Sequence, residues 1–234
     1  MEPVVVITGG TGGLGTALSQ RLAASGARLA VTYLIPDEAE RFESVVSVDE
    51  DRLLLSRVDA GDSDGVKSFF QTVVDRFGHM NALCSLVGGW AGGRDIVETD
   101  DVRLDRMLDL NLRSAFIATR AAIPHLIAAD WGRIVLVGSR AASDTPSGQA
   151  AFNIAKAGVV ALGASAAQEL GDTAVTANVV MPSVIDTPAT RAALPYSDYV
   201  SWPTPDQIAA VIEFLISPDS AVVSGATVPV YGSS

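Results

Sequence analysis

Thr8-Gly9-Gly10-Thr11-Gly12-Gly13-Leu14-Gly15 follows directly on the apolar run Val4-Val5-Val6-Ile7, and a helical pattern begins within it, over residues 13–25. Glycines allow the tight turn and let the backbone come close to a bound group. The helix start then offers free N–H groups and the positive end of its dipole to an anion. A glycine cluster alone is a weak signal, because glycines also make ordinary turns. The strand–turn–helix setting at the head of the chain points to a pyrophosphate cradle.

Outward from that turn, apolar runs alternate with helical patterns to the end of the chain, the mark of repeated β-α-β units. Strands are expected at 4–8, 28–34, 53–58, 80–87, 133–139, 175–181 and 226–231. Helices are expected at 13–25, for a turn or two from Asp37, from a cap at Asp62 to Phe77, from a cap at Thr99 to Ala129, at 149–170, and from Thr204 to Ser217. The last start is well marked. Thr204-Pro205-Asp206-Gln207 joins a capping threonine, a proline at the first helical position and a glutamine where a capping box needs it. Residues 88–93, Gly-Gly-Trp-Ala-Gly-Gly, are too glycine-rich for an element interior. The pattern reads as an α/β fold. Residues 1–234 form a single doubly wound Rossmann-type domain, with a parallel seven-stranded sheet and a dinucleotide site at its first turn.

Composition narrows the partners. Hydrophobic residues make up 48% and aromatic residues 6%, which suits strands buried on both faces under close-packed helices. The net charge of −11 repels phosphate backbones, so nucleic acid is not expected as a partner. Cys84 is the one cysteine and sits in a strand-like run, so it reads as a buried thiol in a reducing, cytoplasmic setting. The longest small-apolar stretch, residues 157–167, falls short of the ~20 residues that span a bilayer, and no membrane association is expected. No metal site is expected.

Thr8, Gly9, Gly13 and Gly15 match the fingerprint Thr-Gly-x-x-x-Gly-x-Gly, and in this the chain resembles the short-chain dehydrogenases/reductases, over essentially its whole length. The resemblance implies a nicotinamide dinucleotide site. Thr8, Gly9, Thr11, Gly13, Leu14 and Gly15 would form its turn, and Tyr33 and Leu34 would close the second strand. Asp59 and Ala60 would follow the third strand, with Asp59 toward the adenine amino group. Val87 and Gly88 would follow the fourth. Pro182, Ile185 and Thr187, after the sixth, would lie beside the nicotinamide carboxamide. The resemblance further implies Ser139 orienting a substrate carbonyl, Lys156 on the nicotinamide ribose, and Asn111 holding a water near that lysine. Asparagine is otherwise unfavourable in mid-helix. Two stretches depart from the family pattern. Ser183 stands for the glycine after the proline, and Ser85-Leu86-Val87-Gly88 stands for Asn-Asn-Ala-Gly, which puts hydrogen bonds bracing the central strands in question.

A larger departure lies at residue 152. The family's reaction needs a phenol to pass a proton to the substrate oxygen, its pKa lowered from ~10 by a nearby ammonium. Lys156 stands four residues, one helical turn, after the tyrosine position, and that position is Phe152. Phenylalanine carries no such proton, and losing a general acid typically costs about 10²–10⁴ in rate. Three readings stay open: a Tyr→Phe variant made in the laboratory, an enzyme whose substrate needs little acid assistance, or a dinucleotide-binding protein without catalysis that acts through protein contacts.

Two segments are similar to the dihydropteridine reductases of that family: residues 88–93, and Ile185-Asp186-Thr187-Pro188 onward through Arg191, Leu194-Pro195 and Asp198 to Trp202. They would flank the mouth of the site, where Trp90 and Trp202 could stack on a flat heterocycle or simply cover the cleft or a subunit contact. The expectation is hydride transfer to a small carbonyl or quinonoid, pterin-like substrate. Cofactor choice turns on the end of the second strand, where an acid binds the ribose 2′-hydroxyl and a base binds a 2′-phosphate. Tyr33 and Leu34 are uncharged, Asp37 and Glu38 follow, and Arg41 lies a turn later. With the negative net charge, these lean to NADH over NADPH. Helix 149–170 carries a small-residue face of Ala155, Gly158, Gly163 and Ala166. Family members pair this helix and the one before it across a two-fold axis, so a homodimer or homotetramer is expected.

Overall fold

Continuous aliphatic runs, whose side chains alternate between the two faces, build the central strands into two cores at once. The computed structural model describes residues 2–195, 197 and 199–233. In its first half the elements are β1 (Val4–Thr8), α1 (Gly13–Ala24), β2 (Arg28–Tyr33), α2 (Pro36–Val45), β3 (Leu53–Arg57), α3 (Ser63–Phe77) and β4 (Ala82–Ser85). There follow α4 (Asp101–Leu108), a π-helical turn (Asp109–Arg113), α5 (Ser114–Ile127), β5 (Gly132–Val137), α6 (Ala141–Asp144), α7 (Ala150–Glu169), β6 (Val175–Pro182), α8 (Pro188–Ala193), α9 (Pro205–Leu215) and β7 (Thr227–Val230).

Within the described residues the strands form one seven-stranded sheet in the order β3-β2-β1-β4-β5-β6-β7, parallel at every pairing. Side chains alternate across a strand, and β1 shows the consequence. Val4 and Val6 pack with Phe70 and Val73 of α3, Ala118 of α5 and Val159 of α7. Val5 and Ile7 pack on the other face with Leu18 of α1, Phe42 of α2 and Ile212 of α9. The chain reverses its direction of winding between β1 and β4. Open α/β sheets bind ligands at such a switch point, beyond the carboxyl ends of the strands.

The expected elements are present, with four corrections. Strand 80–87 shortens to Ala82–Ser85, because only Leu86 N–H, donating to Thr8 O at 3.1 Å, continues the pairing before the chain turns away. The helix cap is Asp100, whose carboxylate accepts from Arg103 N at 2.8 Å; the Thr99 hydroxyl instead donates back to Asp95 O. The helix expected to run from there to Ala129 is broken at Asp109–Arg113 by a π turn, the insertion often found where a helix serves a site. Finally, α7 is longer than the apolar stretch singled out above. By length and composition it could cross a bilayer, but it lies on β5 and β6 as a core helix. The caps at Asp62 and Thr204 form as expected, Thr204 with the full capping box to Gln207. The short helices α6 and α8 have no counterpart in the sequence pattern.

Candidate active site

The glycine turn closes between two later segments. Gly9 has φ +67°, and a Cβ there would lie 2.9 Å from Val87 Cγ2, so this position needs glycine both for its conformation and for its contact with the loop after β4. Gly15 lies against the Gly10 backbone, and Thr8 is buried at the end of β1. Gly12 caps α1 without any side-chain bond, which leaves the first-turn N–H groups of Gly13, Leu14 and Gly15 for an anion. A Cβ on Gly13 would meet Thr187 Cγ2 at 3.0 Å, so Thr187, the cap of α8, bounds this cradle from above. These residues fit a dinucleotide's pyrophosphate.

The rim of the crevice is set by the other strand ends. Tyr33 is partly buried and Leu34 is 53% exposed. Thr11 Oγ1 donates to Glu38 Oε2 at 3.3 Å, which brings a carboxylate of α2 to the turn. Arg57, at the end of β3, donates to Leu34 O at 3.2 Å. Asp59 is exposed and one of its oxygens accepts from Gly61 N at 2.8 Å; Ala60 follows it. Pro182 ends β6 and its carbonyl accepts from Arg140 N. Ser183, in place of a glycine, donates from Oγ to Tyr231 O at 2.8 Å and ties the segment to the end of β7. Ile185 is partly buried against the core below. The altered stretch after β4 leaves its mark as well. Thr8 and Ser85 are neighbours in the β1–β4 register, and both hydroxyls are buried with no partner among the described residues. Backbone bonds alone join the strands at that point.

Ser139, Phe152, Lys156 and Asn111 come together beside this crevice. Lys156 is 6% exposed, and its Nζ donates to Val137 O at 2.9 Å. A Cβ on Gly88 would lie 3.2 Å from that Nζ and 2.8 Å from Asn111 Oδ1, so the lysine and the asparagine flank Gly88. Asn111 is 1% exposed. It accepts from Gly89 N at 3.1 Å and donates to Gly89 O at 3.0 Å and Met107 O at 3.1 Å. Its amide therefore clamps the loop after β4. Ser139 Oγ accepts from Ala141 N at 3.2 Å, which opens α6 and leaves the hydroxyl proton to donate. Phe152 is 8% exposed, packed in an apolar cluster with Met107, Ala141 and Ala151, with its ring centroid 5.9 Å from Lys156 Nζ.

Burial pulls the Lys156 ammonium down from 10.5 to about 8. Below pH 8 folded and unfolded chains both hold this proton, and folding buries a charge. Between about 8 and 10.5 the unfolded chain binds more protons, so the stability of the folded chain at this site rises across that window. The difference corresponds to about 3 kcal/mol. Lys156→Met, of similar length and uncharged, is expected to be more stable than wild type at pH 7, with an advantage that shrinks toward pH 10.5. Urea unfolding of both proteins across this range reads the difference; a constant gap would contradict it.

The two tryptophans occupy different settings. Trp90 is 52% exposed, lies over Gly92, and donates from Nε1 to Gln149 Oε1 at 2.8 Å. Arg103 donates to Gly92 O at 2.6 Å and Arg94 N to Gly148 O at 3.1 Å, so the loop is tied to α4 and to the start of α7. Trp202 is partly buried beside Tyr199, their centroids 6.0 Å apart. Arg191 stacks 4.3 Å over Tyr199 and grips Asp186 through two bonds of 2.5 and 2.7 Å, which hold the Asp186 carboxyl below the usual carboxylate range. Asp198 lies outside the described residues. Gln149 and Arg103 carry no motif, and nothing in the glycine-rich segment 88–93 marks the Gly89 peptide as the partner of Asn111. Only contacts far along the chain show that they shape the site.

Known proteins resemble this chain over nearly all of its length. The short chain dehydrogenase family matches residues 3–196. The 3-oxoacyl-[acyl-carrier-protein] reductase MabA of Mycobacterium tuberculosis is 33% identical over 236 residues, which cover 97% of this chain and 91% of that protein. The (2S)-[(R)-hydroxy(phenyl)methyl]succinyl-CoA dehydrogenase subunit BbsD of Thauera aromatica is 31% identical, with 98% of this chain and 95% of that one covered. A short-chain dehydrogenase/reductase from Serratia marcescens BCRC 10948 superposes with a TM-score of 0.90 at 30% identity, over 99% of this chain and 98% of that one. A family match over most of the chain, with relatives above 30% identity along nearly its whole length, decides the kinship: the chain belongs to the short-chain dehydrogenase/reductase family of NAD(P)-dependent oxidoreductases.

Proposed function

We propose that this enzyme uses NADH to reduce a small, readily reduced carbonyl or quinonoid compound, with a quinonoid dihydropterin as the model acceptor. One observation carries the reading. Ser139 and Lys156 stand in a formed site, and Phe152 stands where the phenol of the resemblance would be. A substrate that takes hydride easily depends less on a strong positioned acid than a simple ketone does. Ser139 orients the accepting oxygen, Lys156 and the Gly13 turn hold the cofactor, and Trp90 offers an exposed aromatic face at the mouth. When bound, the reduced nicotinamide supplies the hydride. The carbonyl class is in keeping with the 3-oxoacyl substrate named for MabA. The test is NADH oxidation with a quinonoid dihydropterin, a vicinal diketone and a simple ketone in parallel. The quinonoid compound is expected to react fastest, and a simple ketone reduced equally fast would overturn the reading.

The preference for NADH rests on Glu38. Its carboxylate, bonded to Thr11, would face a 2′-phosphate with like charge, and Arg57 is the base that could receive one. Glu38→Gln is expected to improve NADPH affinity relative to NADH about tenfold, the effect of roughly one screened charge at close range. Calorimetric titration with both cofactors reads the ratio, and an unchanged ratio would remove Glu38 from the choice.

Assembly follows from the face of α5 and α7. A groove of about 810 Å³ lies there, lined by Leu112, Phe116, Ile123, Gly158, Leu162 and Ala166, with Phe116 half exposed. We expect this face to pair with a second copy across a two-fold axis. Light scattering should give a dimer or tetramer, and Phe116→Asp should shift it to monomer; a monomeric wild type contradicts the pairing. The buried Cys84 thiol, its pKa pushed up by desolvation, stays protonated and suits the cytoplasm.

A further inference from the structure

We propose that the Lys156 ammonium is the proton source for the substrate oxygen in this enzyme, in the place a phenol would fill. The proposal rests on the reductase reading above and on the disposition of the four side chains at the site. Phe152 has no proton to give. Asn111 spends both amide hydrogens on Gly89 O and Met107 O, and its oxygen on Gly89 N. Ser139 keeps a free hydroxyl hydrogen, which orients the substrate oxygen, but an alcohol is too weak an acid to be left as an alkoxide at neutral pH. Lys156 is the one remaining group with a proton to transfer.

Its placement suits the role. Nζ is anchored on Val137 O, the last residue of β5 and two before Ser139, which brings the ammonium to the strand end that Ser139 follows. Gly88 leaves only backbone on one flank of Nζ, and the Phe152 ring stands on the other. No charged side chain among the described residues pairs with Lys156. On α6 and just before it Arg140 and Asp144 pair with each other, in the π turn Asp109 pairs with Arg113, and on α4 Arg103 reaches Gly92 O. Asp101, Asp105 and Arg106 of α4 and Glu169 of α7 are exposed. Burial alone thus sets the ammonium's acidity, and it is a stronger acid than an exposed lysine.

The step balances without a further reagent. With the vicinal diketone a C–H bond forms from the transferred hydride, the π pair of the carbonyl moves to oxygen, one Lys156 N–H bond breaks, and an O–H bond forms. With the quinonoid dihydropterin the hydride forms an N–H bond on the ring, the π pair moves through the conjugated system, and the Lys156 proton goes to the heteroatom that receives it. The neutral amine then takes a proton back from water. The reduced nicotinamide of the family's reaction is the reductant.

Three measurements on the whole enzyme test this, with a quinonoid dihydropterin and a vicinal diketone as acceptors. Pulse acetylation with acetic anhydride across neutral to alkaline pH, read by mass spectrometry on the Lys156 peptide, gives the midpoint of Lys156 without turnover. That midpoint is expected near 8, and wild-type kcat should fall about tenfold per pH unit above it. Lys156→Arg keeps a cation that stays charged throughout. It is expected to retain NADH affinity by fluorescence titration while kcat drops about 10²-fold and the alkaline break disappears. A kcat that stays flat through the Lys156 midpoint overturns the proposal. So does Lys156→Arg with full kcat, or with kcat lost in step with cofactor affinity, which would mark a positioning role only. If Lys156→Arg does not fold, the labelling midpoint against the wild-type profile decides alone. Turnover by Phe152→Tyr but not by wild type overturns the proton role and leaves the reductase reading standing. No turnover by either removes both.

Discussion

Phe152→Tyr is expected to raise kcat on a simple ketone by about 10²-fold or more, the range that a positioned general acid supplies. The framework for a phenol is complete apart from its oxygen. Ser139 lies thirteen residues before this position, Lys156 four after it, and the helix that carries both Phe152 and Lys156 is unbroken from Ala150 to Glu169. The ring already stands 5.9 Å from the Lys156 ammonium, close enough for that charge to favour a phenolate and lower its pKa. In the variant Lys156 would turn from proton source to the group that tunes the tyrosine. The gain on a quinonoid dihydropterin should be smaller, because that acceptor depends less on acid. Cofactor affinity should change little, since Phe152 packs with Met107, Ala141 and Ala151 rather than with the glycine turn. Steady-state rates for the two proteins on both acceptors provide the check. Equal rates on the ketone would show that position 152 lies off the proton path.

Gly13→Val is expected to weaken NADH binding by at least about 100-fold while the protein stays folded. The first-turn N–H groups of α1 are the natural partners of a pyrophosphate, and each charge-assisted bond lost costs ~1.5–3 kcal/mol. A branched side chain at Gly13 would stand in the cradle, already 3.0 Å from Thr187 Cγ2 at its Cβ. The fold should survive, because Gly13 is the first residue of α1 and is exposed, away from either core. Gly15 would be the wrong choice, since a Cβ there would press on the Gly10 backbone at 2.4 Å and disturb the turn itself. Calorimetric titration paired with a thermal melt separates the outcomes. Normal binding by a folded Gly13→Val protein would place the cofactor elsewhere.

Local order was legible in the residues alone. Alternating apolar runs and helical patterns specify strands and helices because each depends on neighbours within a few positions. The Asp62 and Thr204 caps are of the same kind, a side chain bonding an N–H two or three residues on. Ser139, Phe152 and Lys156 are marked as a set by the resemblance to the family's pattern rather than by any local rule. Where two local signals competed, the pattern failed. Thr99 and Asp100 both make good caps, and only the finished chain shows Asp100 taking the Arg103 N–H.

Contacts between distant parts of the chain belong to the folded state. Asn111 reaches Gly89 across 22 positions, Thr11 reaches Glu38 across 27, and Trp90 reaches Gln149 across 59. No local rule encodes these pairs, because the sheet order decides which loops meet at its carboxyl edge. The break of the helix at Asn111 comes with that same clamp on Gly89. Desolvation is equally non-local. Lys156 reads as one cation on an apolar helix, and its lowered pKa exists only because β5, the Gly88 loop and the Phe152 ring surround it. The same packing seats one face of α7 on β5 and β6, which composition alone could not show.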